Sequence, residues 1–251
     1  SCCGSGSCST EVYNIMSEEY DELVGYAKDA DLGLGCGLPT NFAKIKKGDT
    51  VVDLGSGAGN DCFIARAETG EDGRIVGIDF TEAMIEKAKK NAANLGFQNV
   101  EFRQGDIENI PMTANFADVV VSNCVMNLVP DKQKAFAEVH RILKPTGHFS
   151  ISDIVLVGEL PEKIKNAAEM YAGCVASAIQ KEEYLNIIKN SGFKKITLQK
   201  EKPIIIPDDI LKDYLSETEI EQYKNSATRI YSITVYAEKG DSCCSPESSC
   251  C

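Results

Sequence analysis

The sequence predicts an α/β chain built on a doubly wound sheet, with a smaller α+β part at its C-terminal end. Three observations carry that prediction. Short apolar runs alternate with amphipathic segments from residue 50 to residue 153, which is the pattern of consecutive βαβ units. The first run, Thr50 to Leu54, ends in glycines, as a buried strand does when it turns into a helix over a nucleotide. The composition is that of a folded domain: 251 residues, 43% hydrophobic and 25% charged, enough to bury a core without disulfides.

Each element has a local reason. Met16, Tyr20, Leu23, Val24 and Ala27 recur at helical spacing and predict a helix over Met16 to Ala30. The turn Gly33-Leu34-Gly35-Cys36-Gly37-Leu38-Pro39 follows. After the strand Thr50 to Leu54, further strands are expected at Arg74 to Asp79, Val100 to Gln104, Ala117 to Ser122 and His148 to Asp153. Thr81 is the expected N-cap of a helix with Ile85, Ala88, Ala92 and Leu95 on its apolar face and Gly96 as its stop. Asp131 plays the same starting role for Ala135, Val139 and Ile142, and Lys144-Pro145 closes that helix. Beyond Leu160 the pattern predicts helices over Glu162 to Ile179 and Glu182 to Asn190, then strands over Lys195 to Gln199 and Thr228 to Ala237. The Ser- and Cys-rich tail from Glu238 is expected to be disordered.

Charge and cysteine usage narrow the function. A net charge of −12 argues against nucleic acid as a partner. No run of about 18 apolar residues predicts a membrane-spanning helix. Ser1 to Thr10 has neither a basic start nor an apolar run, so no signal peptide is expected and the chain reads as cytoplasmic. Eleven cysteines are present, in a chain too long and too apolar for a secreted disulfide framework. Seven lie near the ends, and Cys36, Cys62, Cys124 and Cys174 are spread singly through the middle. With no C-x-x-C pair and no histidine at ligand spacing, structural zinc is disfavoured.

The strongest local motif is Asp53-Leu54-Gly55-Ser56-Gly57-Ala58-Gly59-Asn60. A dinucleotide fingerprint needs its third glycine where Asn60 stands. The acid before the first glycine suits a cationic or amine-bearing ligand better than a pyrophosphate. This pattern resembles motif I of class I S-adenosylmethionine methyltransferases, whose Rossmann-like fold agrees with the predicted strand–helix alternation. The resemblance implies a cofactor set of Asp53, Gly55, Ser56, Gly57, Gly59 and Asn60, with Asp79, Phe80 and Met84 after the second strand. Gly105, Asp106 and Ile107 follow the third strand, and Asn123 ends the fourth. Asp79 sits where an acid takes both ribose hydroxyls, and Asn123 where an open sheet forms its ligand crevice.

A narrower resemblance rests on Gly35-Cys36-Gly37-Leu38-Pro39, the Asp53 to Cys62 block, Ser122-Asn123-Cys124-Val125-Met126-Asn127-Leu128-Val129-Pro130-Asp131-Lys132, Val139 to Lys144 and Gly173-Cys174-Val175-Ala176-Ser177-Ala178. These are similar to the arsenite S-adenosylmethionine methyltransferases over about Cys8 to Ala237. The resemblance implies that Cys36 and Cys174 bind trivalent arsenic and that Cys8, for which Cys2 or Cys3 could substitute, forms a disulfide with Cys36 during turnover. It also implies that a thiol reductant of glutathione or thioredoxin type serves the cycle. Soft trivalent arsenic prefers thiolates to oxygen or imidazole, which makes two isolated cysteines chemically sensible. Cys62 and Cys124 read as structural. One departure stands out: many relatives carry a third arsenic-binding cysteine before the last strand, where this chain has Thr228.

The resulting organisation is an N-terminal helix and turn (1–40), a cofactor-binding domain (41–155), a C-terminal arsenic-site region (156–237) and the tail (238–251). A monomer is expected. The rival readings are a carbon- or oxygen-directed methyltransferase for a small organic acceptor, and a thiol-rich arsenic-binding protein without turnover.

Overall fold

The computed structural model describes residues 20, 23–165 and 173–240. Seven strands form one sheet in the order β3-β2-β1-β4-β5-β7-β6. They are β1 (Thr50–Leu54), β2 (Arg74–Asp79), β3 (Val100–Gln104), β4 (Ala117–Asn123), β5 (Leu143–Val157), β6 (Lys194–Ile204) and β7 (Arg229–Glu238). β1 to β5 run parallel, and β7 is antiparallel to both β5 and β6. The sheet is therefore mixed, and it continues through the boundary expected near residue 155. β6 is an edge strand, so Pro203 interrupts no central ladder.

The helices that cover the sheet are α1 (Pro39–Phe42), α2 (Asn60–Thr69), α3 (Glu82–Asn94), α4 (Lys132–Ile142), α5 (Gly173–Ala176), α6 (Lys181–Asn190), α7 (Asp208–Lys212) and α8 (Glu217–Asn225). Asp131 caps α4 as expected, accepting the Lys134 N–H at 2.9 Å. Thr81 starts α3 through its backbone alone, without a side-chain cap. One apolar cluster lies around Phe136, Phe149 and Tyr184, and a second around Phe63 and Phe102. A third gathers Ile154, Leu156, Leu160 and Ile230 with Cys36 and Cys124, and Cys174 packs against it.

Two helix expectations are corrected. Met16 lies outside the described residues, and residues 23–30 form successive turns rather than a helix. Gly25 has a φ of +94°, and a Cβ there would come within 2.6 Å of the Phe63 carbonyl. The chain is pressed onto α2 at that point, and Val24 is left 81% exposed despite its helical spacing. The helix expected over Glu162 to Ile179 does not run that far: residues 177–179 are not helical, and Gln180 instead bridges to Leu156 of β5. The strands β5 and β6 extend well past their expected ends because they pair with β7 over most of its length.

Candidate active site

The site grows from the C-terminal ends of β1, β4 and β2. Gly55, Gly57 and Gly59 all take left-handed backbone, and the Gly57 N–H donates to Asp79 Oδ2 at 3.0 Å. The other Asp79 oxygen accepts from the Thr81 N–H at 2.8 Å. The strand-end carboxylate is thus fixed in place, with lone pairs on both oxygens left for a diol. Phe80, 70% exposed, stands beside it, and Met84 is half-buried on α3. Gly105 follows β3, Asp106 is exposed with its Oδ1 accepting the Glu108 N–H, and Ile107 packs on the core. Asn60 opens α2, and its Oδ1 accepts from the Ala27 N–H at 3.3 Å, tying the helix to the chain that crosses it.

Beneath the glycines lies a pair of acids. Asp53 is buried, and the Cys62 thiol donates to its Oδ2 at 3.3 Å. Burial and then the charge of Asp61 push Asp53 well above the usual carboxylate range, against that thiol bond. Asp61, which sequence reasoning did not single out, is raised by burial to about 6 although Asn123 and Tyr20 donate to it. Its Oδ1 and the Ser56 hydroxyl are sealed from solvent without a partner. These residues suit S-adenosyl-L-methionine, because a sulfonium and an α-ammonium relieve two crowded acids, and the ammonium offers donors to an orphaned oxygen.

Asn123 joins this acid pocket to the thiols. Its Oδ1 accepts from the Cys36 N–H at 3.1 Å, and its Nδ2 donates to the Gly37 carbonyl at 2.8 Å and to Asp61 Oδ2 at 3.3 Å. It also touches the Tyr20 hydroxyl, which donates to the Gly37 carbonyl at 3.0 Å. The glycine after Cys36 has a steric cause. A Cβ on Gly37 would lie 2.5 Å from the Ser152 hydroxyl of β5, so only glycine lets the turn lie flat on the sheet. The Ser232 hydroxyl of β7 holds the Cys36 carbonyl from the far side.

Cys36, Cys124 and Cys174 come together in the third apolar cluster. The Cys174 thiol donates to the Cys124 carbonyl at 3.4 Å, and the Cys36 thiol lies 3.9 Å from Asn123 Oδ1. Burial raises Cys36 to about 11, against the bond from Cys124. The Cys174 bond lowers Cys124, but its own bond to Cys36 and its burial prevail, and the net shift is upward. Cys174 is raised by its bond to Cys124 and by burial. All four described cysteines are free. Cys8 and the tail cysteines lie outside the described residues. Thr228 is placed elsewhere, its hydroxyl donating to the Glu159 carbonyl at 3.1 Å on the wall of a separate cavity of about 570 Å³.

Residues 45–192 match the family model described as a methyltransferase domain. The chain is 38% identical over 240 residues to an arsenite methyltransferase of Halobacterium salinarum, covering 90% of this chain and 61% of that protein. It is 38% identical over 199 residues to an arsenite methyltransferase of Mus musculus, covering 74% of this chain and 52% of that one. The chain thus spans between half and two thirds of the length of these relatives. The crystal structure of an arsenic (III) S-adenosylmethionine methyltransferase from Chlamydomonas reinhardtii superimposes with a TM-score of 0.69 at 32% identity, covering 82% of this chain and 68% of that one. With the motif I acids, the strand-end Asp79 and the fold in agreement, the chain belongs to the methyltransferase-domain family, in the branch that holds the arsenite methyltransferases.

Proposed function

We propose that this chain methylates trivalent arsenic, arsenite or methylarsenite, held by its own thiols, with S-adenosyl-L-methionine as methyl donor. The observation that carries the reading is Asn123, a single side chain bonded at one end to Cys36 and at the other to the acid pocket. The thiols and the candidate cofactor site are thereby fixed against each other. When bound, S-adenosyl-L-methionine supplies a methyl group on a positively charged sulfur.

Cys36 and Cys174 hold arsenic by two sulfur bonds and leave its lone pair free to accept that methyl. Each As–OH and S–H pair exchanges for an As–S bond and a water molecule, so neutral thiols are the correct starting state. The apolar wall of Ile154, Leu156 and Ile230 excludes water. Alignment of two held reactants is worth about 7–11 kcal/mol of barrier in favourable cases. No general base is required, since the attacking lone pair carries no proton.

Methylation removes the arsenic lone pair, and two electrons from a thiol reductant of glutathione or thioredoxin type restore it. Such a reductant suits a reducing, cytoplasmic setting. Among the described residues no helix is long and apolar enough to cross a membrane. The test is transfer of labelled methyl from S-adenosyl-L-methionine in three reactions, with arsenite, with methylarsenite and without metalloid. Label is expected in methylated arsenic in the first two alone, and Cys36→Ser or Cys174→Ser should abolish it while cofactor binding persists. Arsenic binding without label transfer sinks the enzymatic reading, and transfer that ignores arsenic in favour of an organic acceptor sinks the arsenic one.

A further inference from the structure

The geometry points to Cys124 as the third arsenic-binding thiol of this chain, completing with Cys36 and Cys174 a tris-thiolate site for inorganic arsenite. This rests on the two-thiol arsenic site proposed above and extends it. Arsenite needs three soft ligands, whereas methylarsenite needs two because its methyl group fills one position. In balanced form, As(OH)3 and three thiols give As(SR)3 and three waters, while CH3As(OH)2 and two thiols give CH3As(SR)2 and two waters. Nothing is oxidised or reduced in either exchange.

Four observations single out Cys124. It shares one buried apolar cluster with Cys36, and Cys174 packs against that cluster with its thiol 3.4 Å from the Cys124 carbonyl, so arsenic recruits no distant group. Its backbone is held at a φ of +59°, a left-handed conformation that non-glycine residues rarely take. Its N–H donates to the Ser152 carbonyl at 2.8 Å, and its side chain is buried in the cluster that holds Cys36. The remaining described cysteine, Cys62, is turned away and spent on Asp53. Thr228, finally, offers no soft ligand, its hydroxyl being committed to the Glu159 carbonyl at 3.1 Å.

Among the described residues no three such side chains yet stand at metal-ligating geometry. The trio must therefore draw in around arsenic. Cys124 sits directly after Asn123, so this contraction also sets the arsenic against the residue that contacts the acid pocket.

The test uses the 251-residue chain with every cysteine before residue 9 and after residue 242 changed to serine, so that no terminal thiol substitutes. Arsenite is added without external thiol, and the arsenic–sulfur bond number is read by X-ray absorption. Three sulfurs are expected, falling to two sulfurs and one oxygen in Cys124→Ser, with arsenite affinity weakened about tenfold or more through the lost chelate arm. Methylarsenite, bound by two sulfurs throughout, should change less than about threefold. Cys124→Gly, which suits the positive φ, should behave as Cys124→Ser does. Three sulfurs retained in either variant, or only two in the parent chain, overturn the proposal. So does equal loss of both arsenicals in both variants, which would make Cys124 structural. A parent chain that binds no methylarsenite fails differently, because it overturns the two-thiol site beneath the proposal.

Discussion

Replacing Asn123 by alanine tests whether one side chain really couples the two halves of the site. The Cys36 N–H loses its acceptor at 3.1 Å, and a buried donor left unsatisfied costs about 1–3 kcal/mol. Asp61 loses one of its two side-chain donors, a charge-assisted bond worth about 1.5–3 kcal/mol when fully ionised. The second figure is an upper bound, because Asp61 titrates near 6 and keeps Tyr20. The Gly37 carbonyl is spared, since Tyr20 also donates to it. The expected cost of Asn123→Ala is therefore about 2–4 kcal/mol, a large part of the roughly 5–15 kcal/mol that a domain possesses. Urea unfolding at pH 7 should show it as a lower midpoint with an unchanged slope. Asn123→Asp supplies a control with opposite logic: it keeps an acceptor for Cys36 but sets a carboxylate against Asp61, so its stability should fall more steeply than the parent's from pH 5 to pH 8. A loss under about 0.5 kcal/mol in Asn123→Ala, or no pH dependence in Asn123→Asp, refutes the coupling.

Three further outcomes are expected. Asp79→Ala should weaken S-adenosyl-L-methionine binding by about 1.5–3 kcal/mol in calorimetry while arsenic binding is unchanged; unaltered cofactor affinity would move the ribose contact elsewhere. Gly37→Ala must displace the turn from Ser152, whose hydroxyl lies 2.5 Å from the new Cβ, so arsenic affinity should drop well before cofactor affinity does; parallel losses would mean general unfolding. Burial raises Asp153 to about 7 although Tyr184 and Asn127 donate to it, while its unfolded value is near 3.9. A raised carboxylate favours the folded state fully below the unfolded pKa and loses that contribution as pH climbs through the folded one. Wild type should therefore lose stability relative to Asp153→Asn between about pH 4 and pH 7, and parallel profiles would show that Asp153 is ionised in the fold.

Much of the sheet was legible because its signals are local. The apolar runs of β1, β2 and β3 end where their glycine and acid punctuation ends them, and the structure gives the same bounds. The elements that escaped are those decided by distant partners. The apolar spacing at Leu23, Val24 and Ala27 is a genuine helical pattern, yet the close packing of Gly25 on α2 overrides it. The length of β5 was invisible for a related reason: ten of its residues pair with β7, more than 70 residues away, and no local propensity encodes that partner.

The site divides along the same line. Motif I and Asp79 are contiguous or strand-end features, so their chemistry can be read from residue type and spacing. Asp61 was within reach too, since an acid two residues past the last motif glycine opens α2 beside Asp53. Cys124 was not, and the reason is geometric. It is 88 residues from Cys36 and 50 from Cys174, so nothing periodic links the three, and an isolated buried cysteine is ordinarily a small hydrophobe. What distinguishes it is a positive φ, a property of the backbone turn between β4 and the Met126–Leu128 turn of 3-10 helix rather than of any residue pattern. Thr228 misleads from the opposite direction. Its match to a relative's cysteine suggests a missing ligand, but Thr228 precedes β7 with its hydroxyl on the Glu159 carbonyl, and the residue type at that one position does not give the number of sulfurs the fold gathers. The ligand count of such a site is thus a tertiary property, fixed where the turn after β4 brings a third sulfur to two that the sequence already marked.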